Sequence, residues 1–82
     1  MNYKVTAEQV KRHALRRGTQ SYKIIKCEEF EQSAHFDIRG EKVFLVKMCG
    51  KTHNVDSQDA TWQDVADWMN GDTVYDRSMF DT

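Results

Sequence analysis

The side chains best suited to metal binding or nucleophilic chemistry in this sequence are Cys27, His35, Cys49 and His53. Zinc fingers and knuckles use closely spaced ligand pairs, whereas 21 residues separate the two cysteines here. A catalytic histidine needs a second catalytic group within hydrogen-bonding reach, and the sequence identifies none. We therefore expect no enzyme activity, no metal site and no cofactor.

Charged residues are distributed unevenly along the 82-residue chain, although its net charge is only -1. Residues 1–26 contain seven lysines and arginines and one acidic residue, which gives +6. Residues 56–82 contain seven aspartates and one arginine, which gives -6. This asymmetry indicates that the two ends either neutralise each other in the fold or form separate interaction surfaces.

An acidic surface bordered by aromatic residues is the leading candidate for a binding site. Aromatic side chains provide apolar contact area in protein interfaces, and carboxylates steer a positively charged partner. The predicted partner-binding residues are Asp59, Asp64, Asp67, Trp68, Asp72, Tyr75 and Asp76. We expect a small protein-binding inhibitor, regulator or adaptor, of the kind that phages and other mobile elements encode, which docks on a basic protein. A nucleic-acid-binding protein is one such partner, because its groove responds to negative charge.

The basic residues near the N-terminus are predicted to lie on one helix. Thr6 and Gln9 have the spacing of a capping box, which starts a helix at the next residue. Gly18 follows two arginines and supplies a C-terminal stop. The expected helix spans residues 7–17.

A second, acidic helix is predicted near the C-terminus. Thr61 and Asp64 form another capping signal, and the helix is expected over residues 61–70. The residues that helical spacing would direct toward the core are Trp62, Val65, Ala66 and Met69, with Trp68 at the edge of this stripe. The segment that follows, residues 72–82, is too apolar for a solubilising tail and is expected to pack against the domain or to wait for a partner.

An antiparallel sheet is predicted between the two helices, over residues 21–55. The candidate strands are residues 21–30, 34–39, 42–49 and, with a loop as the alternative, 52–55. The resulting order is helix, three or four strands, helix, which is an α+β fold with two helices packed on the sheet. We expect one domain that comprises residues 1–82.

Nucleic-acid binding is the alternative function, because a helix rich in cations can lie along phosphates. The residues that would make these contacts are Lys11, Arg12, Arg16 and Arg17. The predicted element order resembles the topology of double-stranded RNA-binding domains, which implies RNA contacts from the first helix, a hairpin loop and lysines at the start of the last helix. This chain instead has aspartates before and within its second helix, and they would repel phosphate.

No stretch of the sequence approaches the roughly 18 apolar residues of a membrane span. The N-terminus also lacks the apolar run of a signal peptide. We therefore expect a cytoplasmic protein with no membrane partner. A homodimer that covers a free sheet face is a further alternative that the sequence leaves open.

Overall fold

Two helices and a C-terminal 3₁₀ helix lie on one face of a four-stranded sheet in the computed structural model. The structure describes residues 4–80, so the last two residues of the predicted C-terminal segment, 81–82, lie outside it. The elements are α1 (Ala7–Arg17), β1 (Ser21–Cys27), β2 (Gln32–Arg39), β3 (Lys42–Cys49), β4 (Asn54–Ala60), α2 (Trp62–Met69) and the 3₁₀ helix (Arg77–Phe80).

The predicted α+β class is confirmed, with four antiparallel strands in the order β1-β2-β3-β4. β4 forms where the sequence left open a strand or a loop, and it extends the sheet beyond the predicted end at residue 55 to Ala60. β1 ends at Cys27, because residues 28–31 form the turn into β2. Residues in β4 carry little intrinsic strand preference, so its pairing with the apolar β3 sets its conformation.

Both helices begin with the capping boxes that the sequence predicts. At α1, the Thr6 N–H donates to Gln9 Oε1 (2.9 Å) and the Gln9 N–H donates to Thr6 Oγ1 (3.1 Å). At α2, the Thr61 N–H donates to Asp64 Oδ2 (2.9 Å) and the Asp64 N–H donates to Thr61 Oγ1 (3.1 Å). α1 ends at Gly18, whose φ of 68° lies in the left-handed region that glycine adopts without strain.

The core lies between the helices and one face of the sheet. Phe36 of β2 is fully buried and contacts two aromatic rings, with centroid distances of 5.8 Å to Trp68 and 5.7 Å to Tyr75. Trp68 also contacts Tyr22 of β1, at 6.3 Å. Val65 of α2 is fully buried next to this cluster. Aromatic packing therefore joins α2 and the segment after it to the first two strands.

The opposite face of the sheet carries no helix. Because side chains alternate along a strand, the neighbours of Phe36 point to this second face, which we call the free face. The free-face residues of β2, β3 and β4 are Ser33, His35, Asp37, Phe44, Val46, Met48, Val55, Ser57 and Asp59. Arg39 partly covers this face, since its guanidinium lies 5.6 Å from the ring centroid of Phe44 and bonds Asp37 at 2.9 Å.

The beginning of α1 is tied to the end of α2 by polar contacts. Asn70 Oδ1 accepts a hydrogen bond from the Val5 N–H (2.8 Å), and Asn70 Nδ2 donates to the Val5 carbonyl (2.9 Å). Lys4 Nζ lies 2.8 Å from Asp72 Oδ1 beside this pair. These contacts bring one basic residue of the N-terminal end next to one aspartate of the C-terminal end.

Candidate functional site

Six aspartates occur within residues 52–76, a stretch that contains no lysine or arginine. We refer to these six carboxylates as the acidic surface, which comprises Asp56, Asp59, Asp64, Asp67, Asp72 and Asp76. The first two lie on β4, the next two on α2, and the last two on the segment between α2 and the 3₁₀ helix. The acidic residues of the sequence therefore belong to three consecutive elements of the fold.

The basic end of the chain neutralises only a small part of the acidic surface. Among the described residues, the salt bridges to the acidic surface are those of Lys4 with Asp72 and of Lys47 with Asp56, the latter at 3.6 Å. The arginines of α1 make no salt bridge to it, since Arg12 bonds Glu8 on its own helix. Negative charge therefore remains on the surface after folding.

Asp64 and Asp67 lie close enough to Tyr75 to influence its ionisation. Burial raises the pKa of the Tyr75 hydroxyl above its ordinary value, and the two carboxylates raise it further because they repel a phenolate. Asp67 also accepts a hydrogen bond from Gln63 Nε2 (2.9 Å), which lies one turn earlier on α2. Two carboxylates and one phenol thus form a local group on the helix layer.

The Asp64→Asn/Asp67→Asn double variant is expected to lower the pKa of Tyr75 without returning it fully to the ordinary tyrosine value of about 10. Removing two negative charges eliminates their repulsion, but the larger contribution from burial remains. Asparagine preserves an oxygen acceptor for the cap at Thr61. Absorbance titration of the phenolate measures the change, and a Tyr75→Phe variant identifies the signal.

The raised pKa of Tyr75 also predicts how the stability of the fold depends on pH. Because the pKa of Tyr75 is higher in the folded state, the unfolded state releases this proton first as the pH rises. The contribution of Tyr75 to stability is present below about pH 10 and is lost as the pH rises through the folded-state pKa. The assignment would be contradicted if the unfolding free energies of the parent protein and of the variant both stayed constant over this alkaline range.

The other predicted acidic residues occupy separate places. Asp59 lies on the free face opposite Phe44 of β3, so the sheet separates it from the aspartates of α2. Asp72 is paired with Lys4. Asp76 accepts hydrogen bonds from the backbone and side chain of Ser78, which lower the pKa of the Asp76 carboxyl. The predicted set is therefore divided between the two faces of the sheet, with Asp64, Asp67 and Tyr75 as its compact part on the helix side.

Trp68 lies in the core layer, although the sequence suggested it as an interface residue. It is half-buried and packs on Phe36 and Tyr22, so it holds α2, which carries part of the acidic surface, against the sheet. Val55 was not anticipated as a surface anchor, yet it is 69% exposed on β4. Its alternation with Asp56 in a strand is the signal that would have identified it, but only once β4 is known to be a strand.

The C-terminal 3₁₀ helix packs over the end of the sheet. Arg77 lies 3.6 Å from the ring centroid of Phe30, and Lys47 Nζ donates to the Met79 carbonyl (3.4 Å). A shallow cavity of about 270 Å³ lies between this helix and the strands, and Asp56 contributes to its wall. The 3₁₀ helix therefore lies next to Asp56 of β4, on the helix side of the sheet.

The side chains considered for metal or thiol chemistry do not converge on one site. No group of three or more histidine, cysteine, aspartate or glutamate side chains within residues 4–80 could hold a metal ion. Cys27 and Cys49 are free thiols. Hydrogen bonds from Thr52 lower the pKa of Cys49.

The basic residues of α1 form a second charged surface. Lys11 is half-buried and lies 3.6 Å from Glu41, in the turn between β2 and β3. Arg12 is exposed and bonds Glu8, whereas Arg16 and Arg17 are exposed with no salt bridge to a described residue. The structure therefore leaves both a cationic helix end and an acidic surface accessible.

Comparisons of the chain with models of protein families, with curated proteins and with solved structures find no match. Within the described part of the chain, no helix has the length and apolar character needed to cross a membrane. The assignment of a function therefore depends on the geometry and charge described above.

Proposed function

We propose that this protein is a non-enzymatic regulator, inhibitor or adaptor that binds a basic surface of another protein through its acidic surface. The observation that supports the proposal is the survival of negative charge after folding, since the described arginines of α1 do not pair with these aspartates. Like charges held on the surface of a small domain create a field that attracts a cationic partner and oppose the compact state by mutual repulsion. Negative charge that is not neutralised within the fold is suited to binding a cationic partner.

The rigid support of the acidic surface also favours this proposal. Asp64 is fixed by the capping box, and Tyr75 is held against Phe36. A surface whose carboxylates are already positioned loses little conformational entropy when it binds. A groove that normally binds nucleic acid is one suitable target, because it responds to the placement of negative charge. The two free thiols agree with a cytoplasmic location, which we include in the proposal.

Affinity capture with two charge-reversal variants tests the proposal. Asp59→Lys/Asp67→Lys reverses exposed or half-exposed acidic positions while leaving the cap residue Asp64 intact. This variant is expected to capture much less of its partner, because positive side chains then face a positive surface. The matched control, Arg16→Glu/Arg17→Glu, is expected to keep the partner. Mass spectrometry of the captured proteins identifies the partner, and circular dichroism verifies that both variants fold.

Nucleic-acid binding through α1 is the second candidate function. Arg16 and Arg17 favour it, because both are exposed and lack a salt bridge to a described residue. The capture experiment separates the two functions, since a loss confined to the Arg16→Glu/Arg17→Glu variant supports the second. Gel mobility of labelled DNA and RNA at two salt concentrations provides a direct measurement, because phosphate contacts weaken steeply with salt.

A further inference from the structure

The outer edge of β4 is available for pairing. β4 is the last strand of the sheet, and all seven of its residues pair with β3 in a continuous register. Residues 54–59 are exposed, and within residues 4–80 no backbone hydrogen bond outside the β3 ladder is made by β4. An edge of this kind presents regularly spaced N–H and C=O groups that another strand can pair with.

The opposite edge of the sheet differs from β4 in both geometry and charge. β1 contains a bulge at Ile24, where the register with β2 shifts between Lys23 and Ile25. Bulges and lysines are features that protect edge strands from pairing, and β1 also carries Lys26. The regular β4 has no bulge and carries only negative charge, at Asp56 and Asp59. β4 is therefore the edge that remains open to a strand of suitable charge.

We propose that β4 accepts an extended basic segment of a partner protein as a fifth strand of the sheet. This inference rests on the proposed function and adds where and how the basic partner binds. Backbone pairing would provide affinity, and the side chains of β4 would select the sequence. Asp59 lies on the free face, whereas Asp56 pairs with Lys47 and lies on the helix side. The added strand therefore meets one carboxylate on each of its two faces.

The register of β4 defines the sequence pattern that the added strand needs. In antiparallel pairing, the partner residue opposite Asp59 is followed three positions later by the residue opposite Asp56, and then by the residue opposite Val55. Opposite charges and apolar pairs stabilise cross-strand neighbours. The expected motif is a basic residue, two variable residues, a second basic residue and an apolar residue. Its two basic side chains point to opposite faces of the strand.

A second copy of this chain is a less suitable occupant of the edge. Pairing of β4 with the β4 of another copy would bring together two acidic strands, each followed directly by an acidic helix. Pairing with β1 of another copy would require the bulged edge. Charge complementarity therefore favours a basic segment from a different protein.

Binding of synthetic peptides to the whole protein tests the inference. The probe is a blocked peptide with the core lysine–threonine–threonine–lysine–valine, flanked by threonines. Two further versions carry N-methyl groups on alternate backbone nitrogens, one version on the odd-numbered residues and the other on the even-numbered residues. Only one of these two sets of N–H groups faces β4. The version methylated on the other set is therefore expected to bind like the parent, and the version methylated on the facing set to lose at least about tenfold in affinity. Simple charge attraction would not distinguish the two versions.

Matched variants of the protein locate the binding site. Asp56→Asn/Asp59→Asn and Asp64→Asn/Asp67→Asn remove the same charge from β4 and from α2, respectively. The β4 variant is expected to lose at least about tenfold in peptide affinity at low salt, and the α2 variant clearly less. Hydrogen exchange of the parent protein should slow at alternate amides of β4 when the peptide binds.

Each of the other outcomes overturns the inference and leaves the proposed function to the capture experiment. Equal binding of the two N-methylated peptides, or a larger loss in the α2 variant, would show docking of charge without strand addition. No binding of the parent peptide would exclude this edge, whereas the capture of a partner by the intact acidic surface would still stand. Protection of β4 amides in a concentration-dependent dimer, without peptide, would assign the edge to a second copy.

Discussion

Phe36→Ala is expected to unfold a large fraction of the protein at room temperature. Removing a buried phenylalanine typically costs about 3–5 kcal/mol. Folded domains are stabilised by about 5–15 kcal/mol, and a domain this small belongs at the low end of that range. The full cost is expected at Phe36, because this residue is completely buried, with 0% relative accessibility. The midpoint of urea unfolding, followed by tryptophan fluorescence, measures the loss.

The effect of Phe36→Ala is expected to extend to the acidic surface, because two aromatic side chains of the helix layer pack on the Phe36 ring. Trp68 and Tyr75 both pack on Phe36, and they connect α2 and the C-terminal segment to the sheet. Phe44→Ala is the matched control, since Phe44 lies on the neighbouring strand but on the free face, where Arg39 covers it only in part. We expect Phe44→Ala to destabilise the protein clearly less. An equal loss in the two variants would show that the core is not centred on the helix side.

The helices could be predicted from the sequence because their boundaries are encoded locally. Thr6 and Gln9 specify the start of α1 through contacts within one turn, and Gly18 specifies its end through its own backbone preference. The bounds predicted for α1, residues 7–17, agree with the structure for this reason. The capping box at Thr61 similarly fixes the start of α2, and the helix spans Trp62–Met69, one residue shorter at each end than the predicted 61–70, because Thr61 and Asn70 are its caps.

β4 could not be predicted with the same certainty because its conformation is set by a neighbour. Its residues include two aspartates, an asparagine and no alternating apolar pattern, which are poor signals for a strand. Pairing with β3, whose residues include the buried Val43 on the helix side and the buried Val46 on the free face, makes it a strand nevertheless. Such pairing depends on contacts between distant residues, and the local sequence does not contain them.

The same limitation explains which parts of the candidate site were missed. The charge of the acidic surface follows from composition, but the division of Asp59 from Asp64 and Asp67 follows from the face of β4 on which Asp59 lies. Trp68 stood at the edge of the predicted stripe, and Met69 stood within it. In the structure Trp68 packs in the core and Met69 is 41% exposed, because the large ring fills the space next to Phe36.

The surviving charge on both ends makes the domain electrically polar despite its small net charge. α1 presents exposed arginines, whereas β4, α2 and the segment after them present carboxylates. An approaching protein therefore experiences an orienting field at distances of about one Debye length, roughly 8–10 Å at physiological salt. Orientation before contact raises the rate of association more than the lifetime of the complex.

Reversal of charge on the acidic surface is therefore expected to change the association rate constant with the captured basic partner more than the dissociation rate constant. Asp59→Lys/Asp67→Lys should slow association by about tenfold to a hundredfold at low salt, since electrostatic steering contributes factors of this size. Arg16→Glu/Arg17→Glu should accelerate association, because it removes positive charge that repels the partner. Surface plasmon resonance with immobilised partner measures both constants, and circular dichroism of each variant controls for folding.

The dependence of the association rate on ionic strength provides a second, independent test of electrostatic steering. Added salt shortens the range of the field, so the association rate of the parent protein should fall steeply as salt increases. The Asp59→Lys/Asp67→Lys variant should show a much weaker or inverted dependence, and the rates of the two proteins should converge at high salt. Equal slowing by both charge reversals, or rates that do not respond to salt, would contradict steering by the acidic surface. Because the two reversals have opposite expected signs, a general loss of folding cannot imitate the predicted result.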